Sequence, residues 1–125
     1  MSGRRHDAGQ ATVELALVLP VIALVALVVV QVALVGRDLV LVVHAAREAA
    51  RQAAVQGGTA GPTDAAIEST GLSRDRIDVR LRGRDGPGSR VTATVRYRAP
   101  TDVPLAGALV PDVELTASAA MRVEQ

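Results

Sequence analysis

The chain has 125 residues, with 14 basic and 13 acidic side chains, a net charge of +1, a single aromatic residue and no cysteine. That length leaves room for one small folded domain beside any membrane segment. The absence of cysteine excludes a disulfide framework and a thiolate metal site, and the near-neutral charge gives no general attraction to nucleic acid.

Tyr97 is the lone aromatic, so a core has to be built from Val, Leu, Ile and Ala. Every basic residue is Arg, and with so much Ala, Val and Gly this reads as a GC-rich coding bias. In chain order the first segment is a polar leader, residues 1–9, carrying Arg4, Arg5 and His6. Behind it stands Gly9–Gly36, "GQATVELALVLPVIALVALVVVQVALVG", with one carboxylate, Glu14, at its front edge.

No charge interrupts Leu15 to Gly36. Leu15–Val35 is 21 residues, about 32 Å as a helix, which matches a hydrocarbon core of roughly 30 Å. A secretory signal has an apolar region of only about 7–15 residues followed by a small-residue cleavage site, and "ALVGRD" is a poor one. The spacing therefore predicts a membrane-spanning helix at about 15–36. A buried core helix is the competing reading, but the remaining residues are too few to cover it. Pro20 lies inside the run and predicts a local kink. Gln31 has two readings, a bond to a neighbouring helix or a place near the interface. Arg4 and Arg5 put the N-terminus inside by the positive-inside tendency, with the following domain outside.

"RDLVLVVHAAREAARQAAVQGG", Arg37–Gly58, continues the helix, with Gly57 and Gly58 as its C-cap. Ala45, Ala46, Ala49, Ala50, Ala53 and Ala54 recur near helical period. They predict packing either on the protein's own sheet or against other subunits, where small residues let backbones approach. His44 reads as an exposed structural residue. "GGTAGPTDAA" is a loop, and Thr63 or Asp64 is the expected cap of a short helix through Ser69 that Gly71 ends.

The rest reads as strands near 76–83, 89–98 and 113–124. Ile77, Val79 and Leu81 share one face; so do Val91, Ala93, Val95 and Tyr97, and so do Val113, Leu115, Ala117, Ala119, Met121 and Val123. "RDGPGS" is turn chemistry. "TDVPLAGALVPD" is a long connection whose Leu105, Leu109 and Val110 read as a partner contact or a cover for the sheet edge. The fold class expected is α+β: a long N-terminal transmembrane helix that leaves the membrane and packs on an antiparallel sheet of about three strands. The outward sheet face is Arg-rich, with Arg76, Arg80, Arg82, Arg90, Arg96 and Arg98, whereas 102–125 holds one Arg against Asp102, Asp112, Glu114 and Glu124. That split suits either plain solvation or an anionic or subunit contact.

The chain carries no catalytic set: no Ser/His/Asp grouping in one plausible site, no H-E-x-x-H and no P-loop. "GRDGPG" sits in a hairpin, not at a helix N-terminus, so it is no phosphate cradle. No enzyme activity, metal, cofactor or nucleic-acid partner is expected.

Gly9, then "QATVE", then the apolar run resembles the processing site of type IV prepilins. Within that class, "GQATVELALVLPVIALVALVVVQ" and, more weakly, the closing "VELTASAAMRVE" resemble the TadE-like proteins of tight-adherence, Flp-type pilus systems. The resemblance implies a pilin-like fold and a cut between Gly9 and Gln10 by a prepilin peptidase at the cytoplasmic face. The mature chain would be a helix over 10–58 with an extracytoplasmic α+β domain over 59–125. It also implies that Glu14, now the fifth residue, pairs with the new amine at Gln10 of the same or a neighbouring subunit. Gln10 stands where mature pilins often carry an aromatic, and Glu14-Leu15 stands where the major pilins usually carry Glu-Tyr. The implied role is that of a pseudopilin or minor pilin in the cytoplasmic (cell) membrane, among lipid and other pilin or pseudopilin subunits, in assembly of a pilus or a related secretion apparatus. A pseudopilin of another type IV pilus-like, type II secretion or DNA-uptake machine, and an unprocessed membrane-anchored binding domain, are the competing functions.

Overall fold

A computed structural model describes residues 4–56 and 60–123. Of residues 4–8 only the backbone is described, so the His6 side chain lies outside it, as do the expected cap at Gly57 and Gly58 and the acid Glu124. The order of elements is α1 (Arg4–Val55), α2 (Ala60–Thr70), β1 (Ile77–Arg82), β2 (Arg90–Ala99), α3 (Ala106–Leu109) and β3 (Val113–Arg122). This is the expected α+β arrangement, a long apolar N-terminal helix with a small three-stranded antiparallel sheet.

α1 is one helix of 52 residues, roughly 78 Å long. It continues through Pro20, whose ring nitrogen donates no bond to the Ala16 carbonyl. The helix divides by burial. Its large apolar side chains from Val13 to Val40 are mostly exposed, whereas Val42, Ala45, Ala46, Ala49, Ala50, Ala53 and Ala54 are buried.

The cover is the sheet on one side and α2 on another. β2 is central, with β1 and β3 antiparallel on its flanks. Its register sets Val79 opposite Val95 and Leu81 opposite Ala93 on one side, and Ala93 opposite Ala119 and Tyr97 opposite Leu115 on the other. The period-2 alternation puts all of these on the face toward α1. Ala93, Val95, Tyr97 and Leu115 join Val42 and the α1 alanines in one cluster, and Val91 and Val123 meet Ala53 and Ala54 in a second. The alanine stripe is thus explained within the chain. With no Phe or Trp available, small side chains bring the helix close enough for dispersion contacts to form.

α2 begins three residues before the expected cap. Pro62 is buried in its first turn, where the missing N–H is unneeded and φ is already helical. Thr63 and Asp64 therefore lie inside the helix. Its end is where expected: Gly71 has φ +69° and donates to the Ile67 carbonyl at 2.7 Å. The Ser69 and Thr70 hydroxyls both donate to the Ala66 carbonyl, at 3.1 and 2.6 Å.

The β1–β2 turn needs Gly83, at φ +82°, because a Cβ there would collide with the Arg90 carbonyl oxygen. Gly88 donates to the Val123 carbonyl (3.1 Å) and Val123 to the Ser89 carbonyl (2.8 Å), which ties this turn to the end of β3. The β2–β3 connection is closed at its neck: the Thr101 N–H donates to Asp112 Oδ1 and the Thr101 hydroxyl to the Pro111 carbonyl, both at 3.3 Å. It contains the single turn α3 and Leu105 at φ +67°, a left-handed conformation that burdens a residue with a Cβ by roughly 1–2 kcal/mol.

The helix–sheet contact predicts the effect of overfilling it. Ala49→Leu inserts a branched side chain where exposure is 0 % and should destabilise the domain by about 1–3 kcal/mol. Thr116→Ala on the exposed sheet face should stay within about 0.5 kcal/mol. Denaturant unfolding of the full chain in detergent, followed by circular dichroism, compares the two.

Candidate functional site

Gly9, Gln10 and Glu14 lie at the front of α1 and are all exposed. Gln10 and Glu14 are four residues apart, so they share a helix face one turn from each other. No ion pair to Glu14 forms among the described residues. A Cβ placed on Gly9 would meet nothing within 4 Å. The fold therefore makes no demand for glycine at this position, although glycine inside a helix forfeits about 0.5–1 kcal/mol relative to alanine.

Behind them the helix is bare all round. Leu15, Leu17, Leu19, Val21, Ile22 and Val25 are each more than half exposed, and they are spread around the helix, with no single stripe. A helix apolar on every side suits hydrocarbon or the packed interior of an assembly. α1 is long and apolar enough to cross a membrane, and it is the one such helix among the described residues. It is compatible with a single-pass anchor.

Gln31 is set against the protein's own domain. It is 7 % exposed, and neither its amide oxygen nor its amide nitrogen has a hydrogen-bond partner. What covers it is the protein's own domain: a groove of about 260 Å³ is lined by Val28, Gln31, Val32 and Val35 of α1 together with Val110 and Val113. The sequence signal for this contact is faint, since Val110 is exposed in a connection and its depth along α1 depends on the whole domain's seating.

The Arg-rich face is solvated and largely balanced. Asp78 sits opposite Arg96 and accepts from Arg80 Nε at 3.0 Å. Glu114 sits opposite Arg98, and Arg76 Nη1 lies 3.7 Å from Asp112 Oδ2. A shallow recess there is lined by Asp75, Asp78 and Glu114 as well as by arginines, so it presents no clean anion site. Arg90 and Arg122 face each other with like charge. His44 is exposed on α1. Glu48 accepts from Arg51 Nη2 at 2.6 Å. That hydrogen bond, and then the carboxylate charge, raise the already high Arg51 pKa. Among the described residues no group of three or more His, Asp or Glu is placed to hold a metal.

If Gly9 is dispensable to the fold, Gly9→Ala should leave thermal unfolding of the outer domain unchanged and raise the helicity of the α1 front, stabilising it by at most about 1 kcal/mol. Circular dichroism of the full chain in detergent reads both quantities.

No curated protein and no solved structure matches the chain. Residues 9–51, which hold Gly9, Glu14 and the whole bare part of α1, match the family model described as TadE-like protein.

Proposed function

We propose that this chain is a TadE-like pseudopilin or minor pilin that works in assembly of a Flp-type pilus or a related secretion apparatus. The observation that carries the reading is the front of α1. A bare apolar rod begins with Gly9, Gln10 and Glu14, all of them exposed among the described residues and with open space around Gly9, and the family match covers that same segment.

In this reading the helix enters the cytoplasmic membrane with Arg4 and Arg5 inside, and a prepilin peptidase cuts after Gly9. The cut turns the Gln10 nitrogen into a cation. Glu14 of a neighbouring subunit then has a charge partner at the depth where an unpaired carboxylate is costly. Subunits pack through Leu15–Val35, and the α+β domain remains outside. The role is structural, without catalysis. The peptidase, lipid and the other pilin or pseudopilin subunits are its partners.

The test uses the absence of native cysteine. Leu17→Cys, in native membranes with the other subunits present, should give disulfide-linked subunits on mild oxidation. Adding Glu14→Ala should lower that yield about tenfold, the equivalent of about 1.4 kcal/mol of lost pairing, and Glu14→Asp should retain part of it. Equal cross-linking in all three would remove Glu14 from assembly and leave an anchored domain.

A further inference from the structure

The β2–β3 connection has an uncharged stretch, Val103–Val110, between Asp102 and Asp112. It is a built loop. Thr101 bonds to Asp112 and Pro111 at its neck, and the Gly107 N–H donates to the Val103 carbonyl at 3.0 Å. A Cβ on Gly107 would collide with the Thr101 carbonyl oxygen, so the close approach of the backbone depends on glycine. Inside this frame Leu105 is held at φ +67° and is 67 % exposed. A strained backbone presenting a large apolar side chain to the outside stabilises nothing within the fold. Such outliers point to an external contact.

The loop's position says which contact. Val110 and the adjoining Val113 stand against Val28, Gln31, Val32 and Val35. From Val28 to Val35 is about 10 Å of helix, and the next charge on α1 is Arg37. The loop therefore flanks the last third of the apolar run, at the depth of one leaflet. Its neck is charged, with Asp102, Asp112 and Arg76 beside Asp112, and its tip is apolar, which is the charge order of a surface that lies in a membrane interface. The groove joins the apolar surface of α1 to Val110, at the end of this stretch.

We propose that Val103–Val110 inserts into the leaflet on the domain's side, with Leu105 as its wedge, so that the domain's base rests in lipid and screens Gln31 from the acyl chains. This rests on α1 spanning the membrane, and the test separates the two. Single-cysteine variants Val25→Cys, Leu105→Cys and Thr116→Cys of the full chain are labelled with an environment-sensitive fluorophore and reconstituted in phosphatidylcholine vesicles. Phospholipids with a nitroxide on the acyl chain should quench positions 25 and 105, and aqueous iodide should quench 116 alone. Iodide quenching at 105 with lipid quenching at 25 would overturn the loop insertion and leave the span intact. Iodide quenching at 25 would overturn the span and the insertion together. Shielding of 105 from both quenchers that disappears as protein is diluted in lipid would assign the loop to a second copy, against the proposal. Ala108→Cys, on the exposed side of the same loop, repeats the reading should the first variant disturb Leu105's conformation.

Discussion

The apolar face of the sheet is covered by the distal half of α1, and the other features depend on that contact. Three strands of mostly Val, Ala and Leu do not hold together in water without a cover. Here the cover is a row of alanines, Ala45 to Ala50 against Ala93, Val95, Tyr97 and Leu115, and Ala53 and Ala54 against Val91 and Val123. Because the cover is the continuation of the apolar rod, the domain cannot turn freely about its anchor. Its seating fixes where the β2–β3 connection falls along α1, which is why Val110 and Gln31 line one groove.

One helix thus serves two environments. Its distal half is patterned for a protein interior, with small side chains at helical period. Its proximal half is apolar on every side, and its leucines and valines from Val13 to Val25 are exposed. Gly9 and Glu14 stand at the far end of that half, both exposed. The charge pattern follows the same division: the acid–arginine pairs Asp78 with Arg80, Asp64 with Arg74 and Asp112 with Arg76 all lie in the outer domain, where each exposed pair contributes little to stability.

The strands were legible because alternation is a local signal. Ile77–Arg82, Arg90–Ala99 and Val113–Arg122 each fall within the expected range or within one residue of it. The long helix was legible because an unbroken uncharged run leads directly into alanines at helical period. The start of α2 was not, since Thr63 and Asp64 look like caps while Pro62 in the first turn is the stronger determinant. The alanine stripe left two partners open until the sheet's position decided for it. Gln31 was the largest surprise, because its burial comes from a connection distant in sequence and placed by the whole domain. Gly9 and Glu14 were visible as a motif, and among the described residues both are exposed, with open space around Gly9.

The central claim is that the front of α1 is matched to a processing enzyme and an assembly. The direct measurement is the N-terminal mass of the chain recovered from native membranes of a host with an active prepilin peptidase, beside that of Gly9→Leu. A start at Gln10 that disappears in the variant is the predicted result. An intact N-terminus in both would contradict processing and leave α1 as a plain membrane anchor.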